Sequence, residues 1–170
     1  MNKPYFIRVT EQSPTIFWIN NPTRWQADMA LEHGALGCTN NPSYTQKMID
    51  HPEEGEHALR LLDESIRECD DDWETAEIFQ RKMVKPIAEK FMPLYEKSNG
   101  QHGYVSIQGD PINEDDADAV IRGARANRVV APNICCKIPT TTSGLKAMET
   151  MVAEDIPINA TEIFGVSQFI

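Results

Sequence analysis

Basic residues are scarce in this chain. Lys and Arg number 16 against 26 Asp and Glu over 170 residues, a formal net charge of −10. Phosphate backbones are gripped by clustered Lys and Arg, so no nucleic-acid partner is expected. An anionic membrane surface is disfavoured on the same ground. A small anionic substrate is not, because one local basic pocket can oppose the global charge. No apolar run approaches the roughly 20 residues that span a bilayer. The first residues, MNKPYFIRVTEQSP, lack the apolar stretch and small-residue cleavage site of a secretory signal. Cysteine is sparse as well. Cys38, Cys69, Cys135 and Cys136 show neither metal-ligand spacing nor the density of a disulfide scaffold. We therefore expect a cytoplasmic protein with reduced thiols and no metal site. Low-complexity tracts and short-period repeats are also missing.

What is present is an alternation of short β-branched runs with longer amphipathic ones. Thr15 to Asn20 (TIFWIN) reads as a strand ended by Asn21 and Pro22. Trp25 to His33 reads as a helix with Gly34 as its stop. Ala35 to Thr39 is a second strand, closed by Asn40, Asn41 and Pro42, with Ser43 placed to cap the next helix. Glu53 to Glu68 has apolar residues at helical spacing. One of Asp70, Asp71 and Asp72 is expected to cap a further helix from Trp73 to Lys97, which Pro86 and Pro93 should kink or interrupt. Tyr104 to Gln108 is the third strand and Glu114 to Asn127 the next helix, with acidic residues in its first turn. Asn133 to Ile138 is the fourth strand, followed by a helix from Gly144 to Glu154. Ile156 to Phe164 contains a fifth strand, and Gly165 to Gln168 looks like the start of another helix. Five β-then-α units imply a parallel sheet with crossover helices.

In such folds the functional groups gather at the C-terminal ends of the strands. Those ends are all polar here: Asn20, then Thr39 and Asn41, then Gln108, then Lys137, then Asn159 and Thr161. Alternate residues of a strand share a face. Ile134, Cys136 and Ile138 suit the face packed under helices, which leaves Lys137 with Cys135 facing inward. By the same alternation Gln108 shares its face with Ser106, and Asn159 and Thr161 share theirs with Ile163. Lys137 is then ringed by amides and hydroxyls. Desolvation there disfavours the ammonium form, and a neutral amine is the nucleophile that condenses with a ketone. A lone Lys near a strand end is also commonly a solvated surface residue. The run Thr140 to Ser143 fits helix capping more simply than a phosphate cradle. His33, His51, His57 and His102 show no ligand spacing and read as surface residues.

Four segments, in order, carry a family resemblance. GCTNNPS from Gly37 to Ser43 resembles the second-strand signature of transaldolases. VSIQGD from Val105 to Asp110 resembles their third strand, CKIPTTTSGLKA from Cys136 to Ala147 the segment around their Schiff-base lysine, and INATEIFGVSQ from Ile158 to Gln168 their following strand. The resemblance implies a TIM-type (β/α)8 barrel that transfers a dihydroxyacetone unit between sugar phosphates through a covalent imine, without cofactor or metal. It gives Lys137 the imine role, matches Asn41 and Asn159 to substrate-binding asparagines with Thr39 beside them, and matches Thr161 to the threonine that positions a catalytic water. The helical stretch of about residues 44–100 is similar to the insertion of the larger transaldolases.

Two positions depart from the pattern. Asn20 stands where the family has an Asp that handles protons, and an amide cannot take up a proton at neutral pH. Gln108 stands where transaldolases have Glu, and in this it is similar to the fructose-6-phosphate aldolases, where a Gln helps hold the water. A barrel of this type needs about 250 residues. We therefore expect residues 1–170 to form one domain containing the first five β/α units, as the N-terminal part of a longer protein. Two other readings remain open at this point: a transaldolase-like protein that binds a sugar phosphate or a partner without catalysis, and an unrelated α/β binding module. A homo-oligomer is compatible with each of them, and nothing in the sequence fixes one.

Overall fold

The computed structural model describes residues 3–169. Its first element is a helix, α1 (Tyr5–Gln12), in a stretch to which the sequence pattern assigns no element. The reason is local packing: the Phe6 ring stacks on Phe17 with centroids 4.1 Å apart. Ile7 lies so close to Gly34 that a Cβ there would meet it at 2.7 Å. The helix thus lies against the beginnings of the first two strands.

Five strands follow: β1 (Phe17–Asn20), β2 (Ala35–Asn40), β3 (Tyr104–Gln108), β4 (Ile134–Pro139) and β5 (Ile158–Thr161). They pair in chain order, all parallel, as a curled half-barrel alternating with helices. This is the parallel sheet that the strand–helix alternation implies, in the partial TIM-type architecture that the family resemblance implies. The first strand is shorter than expected. Pro14 precedes it, and the Thr15 amide donates to the Ser13 hydroxyl in a local turn instead of a ladder.

The helices are α2 (Arg24–Glu32), α3 (Tyr44–Ile49), α4 (Gly55–Glu68), α5 (Asp72–Lys97), α6 (Ala117–Arg128), α7 (Thr142–Ala153) and α8 (Val166–Phe169). Their starts follow capping chemistry. Thr23 and Gln26 form a reciprocal capping box on α2. Asp71 accepts from the Glu74 amide at the head of α5. Asp116 accepts from the amides of Asp118 and Ala119, which is why α6 begins after the Glu114 expected to open it. Ser43 makes no capping bond, contrary to its expected role.

The long helix α5 runs uninterrupted through Pro86 and Pro93. The expected interruption fails because this helix buries an extensive apolar face. Val84, Ile87, Ala88 and Phe91 are all fully buried. Each large side chain among them contributes roughly 1.5–3 kcal/mol, which offsets the amide bonds the prolines remove. The helices of residues 44–100 therefore form part of the main core. They pack on Cys38, Val105, Ile107 and Ile134 of the sheet. A second, smaller cluster joins Cys136 and Ile138 to Ala147, Met148 and Met151 of α7.

One close approach fixes the passage from β4 into α7. A Cβ on Gly144 would fall 1.8 Å from the Pro139 carbonyl oxygen, so only glycine admits this turn. The Gly144 amide donates to Thr141, the N-cap of α7, at 2.9 Å. The capping reading of the threonine run holds at that residue.

Candidate active site

Strand register decides which side chains meet. Asn20 pairs with Thr39, Thr39 with Ser106, and Ser106 with Cys135. One level higher, Gln108 pairs with Lys137, and Lys137 with Asn159. Residues in register share a face, so these rows line the concave side, while Ile107, Cys136 and Ile138 lie under the helices. Lys137, Gln108 and Asn159 thus share one face, as alternation requires. The alternation stops early on β5, however. The strand ends at Thr161 and Glu162 adopts φ +61°. Ile163 therefore falls outside the strand and is exposed.

The polar groups form three linked sets. Lys137 Nζ donates to Asn41 Oδ1, and Asn41 Nδ2 donates to Asn20 Oδ1 at 3.3 Å. Asn41 is itself held by its backbone amide, which donates to Asn21 Oδ1 at 2.9 Å. Asn21 is buried in a left-handed conformation, φ +48°, and its carbonyl accepts from Lys47 Nζ at 2.8 Å. In the second set, the Ser106 hydroxyl donates to Thr39 Oγ1 at 2.9 Å and accepts from Asn159 Nδ2 at 3.4 Å. In the third, Gln108 Nε2 donates to Glu162 Oε1 at 3.0 Å. Thr161 lies beside this set, opposite Pro139 in the ladder, and its carbonyl accepts from the Thr140 amide at 2.8 Å.

Lys137 is partly buried, and that desolvation pushes its amine below the ordinary lysine value, with the Glu162 charge acting in the opposite direction. The nearby thiols offer no competing nucleophile. Burial pushes Cys135 up to about 12 and Cys136 up to about 11, so both stay protonated at neutral pH. The four cysteines are unpaired. Among the described residues no three His, Cys, Asp or Glu side chains cluster as a metal site would.

Glu162 is the functional candidate that strand-end reasoning missed. It sits one residue past the last ladder pair and is turned in by its positive φ. Alternation cannot anticipate that turn. The only sequence signal was a carboxylate directly after Asn159-Ala160-Thr161. A second correction concerns histidine. His57 is partly buried, with Nε2 lacking a partner, and desolvation lowers its pKa. It lies on α4.

Below the polar rows, Trp18 lies against Gly37, where a Cβ would meet its indole at 2.3 Å. There the concave side forms a hollow of about 370 Å3 that reaches Tyr104, Cys135 and Asn159. A larger cavity of about 410 Å3 lies between α5 and α6 on the helix side, and Gln108 and Lys137 are part of its lining. Among the described residues no helix is long and apolar enough to cross a membrane.

A partly buried amine at the carboxyl end of a parallel strand, in a curled β/α sheet, places the chain among barrel-type proteins that build their sites at strand ends. The comparison of sequences narrows this. Residues 18–170 match the transaldolase/fructose-6-phosphate aldolase family model, and the chain belongs to that family. It is 29% identical to transaldolase 1 of Streptomyces avermitilis, over 95% of this chain and 44% of that protein. It is 31% identical to a transaldolase of Parafrankia sp., over 84% of this chain and 38% of that protein. A match to transaldolase 2 of Nostoc punctiforme, 28% identical, covers all of this chain and 46% of that protein. The chain thus spans less than half the length of these relatives.

Proposed function

We propose that Lys137 is the amine of a transaldolase-type reaction, in which a dihydroxyacetone unit passes between sugar phosphates through a lysine Schiff base. The observation that carries this reading is the setting of Lys137. It is an inward, partly desolvated amine whose register partners are Gln108 and Asn159 and whose hydrogen-bond partner is Asn41.

The chemistry follows from those groups. The neutral amine attacks the ketose carbonyl carbon, and the carbinolamine loses water to give a protonated imine. The bond between the α and β carbons, one removed from the imine carbon, then breaks. Its electron pair moves into the imine, the departing carbon's hydroxyl passes its proton to a water, and an aldose phosphate leaves. The bound three-carbon carbanion next attacks a second aldose, or takes up a proton if none is present. Water finally releases the product from Lys137. Asn41 and Asn159, with Thr39 below them, offer amide and hydroxyl groups to the substrate hydroxyls. Gln108 and Thr161 flank the position of a water, and Asn20 orients Asn41. No cofactor enters these steps. The unpaired cysteines suit a reducing cytoplasm.

A non-catalytic sugar-phosphate binder is the second reading, favoured by the amides at Asn20 and Gln108, which leave β1 and β3 without a carboxylate. Borohydride trapping separates the two. The chain, and a version continued into a complete barrel, are incubated with fructose 6-phosphate, reduced and digested. A mass addition on Lys137 that disappears in Lys137→Met supports the imine. Absence of any adduct in the complete barrel supports the binder.

A further inference from the structure

We infer that Glu162 is a positioning residue of this site, a carboxylate that acts on Lys137 through its charge and through the amide of Gln108. The inference rests on Lys137 being the reacting amine. It adds a carboxylate, which the strand ends themselves lack.

Three observations carry it. First, Gln108 is buried and donates Nε2 to Glu162 Oε1 at 3.0 Å. An ionised carboxylate only accepts hydrogen bonds, so it dictates which end of the Gln108 amide faces it. Oε1 is then presented on the other side, as an acceptor for a water or a cation. Second, Glu162 is held in place. Its φ of +61° is a conformation that residues with a Cβ adopt rarely. Gln168 secures that turn with both ends of its own amide. Nε2 donates to the carbonyls of Glu162 and Thr140, each at 3.1 Å. Oε1 accepts from the amides of Phe164 at 2.9 Å and Gly165 at 3.1 Å. Third, the charge of Glu162 bears on Lys137 and opposes the effect of burial there. In the segment before α6, Glu114 feels the charges of Glu162 and Asp115. Burial and then the repulsion of those two carboxylates raise the Glu114 pKa.

The role follows from the charge sequence of imine chemistry. The ammonium and the protonated imine are both cations, and a fixed carboxylate hydrogen-bonded to Gln108, the register neighbour of Lys137, favours each over its neutral form. Glu162 therefore holds the acid limb of Lys137 reactivity higher than burial alone would leave it. It also keeps the imine protonated, the state that accepts electrons.

The test reads proton affinity directly. The Lys137 amine is titrated by nitrogen NMR in the native chain, with Lys137→Met identifying its signal. In Glu162→Gln, which keeps a side chain of the same size, the midpoint moves down. The acid limb of borohydride trapping moves down with it. Glu162→Asp, which keeps the charge, stays nearer the native midpoint. The exchange Gln108→Glu with Glu162→Gln restores a midpoint at least as high as the native one. An unchanged midpoint in Glu162→Gln overturns the inference, even where an adduct on Lys137 forms normally. If no adduct forms but the midpoint still follows Glu162, the imine reading falls and the electrostatic coupling stands.

Discussion

The two faces of the sheet are cut from the same strands by alternation, yet they are built for opposite ends. On the helix side, Cys38, Val105, Ile107 and Ile134 are fully buried against an apolar layer. On the concave side Lys137, Asn159 and Thr39 are only partly buried, and hydroxyls and amides satisfy one another in chains. The first face holds the second in register. Dispersion and burial favour any well-filled arrangement, whereas an amine that reacts needs one position and one degree of hydration. Stability and chemistry are separated here by a single residue step, with Cys136 on one side and Lys137 on the other.

That contrast can be broken most severely at Lys137. Lys137→Met should abolish the borohydride adduct while leaving the circular dichroism spectrum native. Next in size is Phe91→Ala on the helix side, expected to cost about 3–5 kcal/mol in urea unfolding. Asn159→Ala on the concave side should cost under about 1.5 kcal/mol and lower adduct yield instead. If the two exchange roles, the separation of the faces is wrong. A smaller effect is the loss of the α7 cap. Thr141→Ala should cost about 1 kcal/mol by the same unfolding assay.

The subtlest prediction concerns pH. The folded chain holds Lys137 below its ordinary value of 10.5. Between the lowered value and the ordinary one, the unfolded chain binds more protons than the folded one, so stability gains from this group as pH rises. Lys137→Met lacks that gain. The stability of the native chain relative to the variant should therefore increase with pH through that window and level off above it. A flat difference would mean that the amine is as well solvated folded as unfolded.

Much of this organisation was legible from residue patterns, because it depends on short-range regularities. The apolar Ile134, Cys136 and Ile138 at period two could only face helices, and that set the direction of Lys137. The polar strand ends stood out for the same reason. What pattern did not reach was geometry set by contacts distant in sequence or by an unusual backbone. The α1 helix depends on Phe17 and Gly34 for its seat. The continuity of α5 through two prolines depends on a core that the helix cannot see locally. Glu162 enters the site only because the chain leaves β conformation at that residue. The asparagine turn hid a further distinction. Asn41 meets Lys137, while Asn40 is fully buried and donates to the Ser106 carbonyl at 3.5 Å.

The turn at Gly144 has a meaning for the history of the sequence. With the Pro139 carbonyl occupying the space of any Cβ, position 144 has an alphabet of one letter, although Leu145 beside it is exposed. Descendants that keep the strand of Lys137 joined to α7 in this way can drift at Leu145 but not at the glycine. A lineage in which Gly144 has changed will have rebuilt the passage out of that strand, and the setting of the lysine two residues before Pro139 will have moved with it.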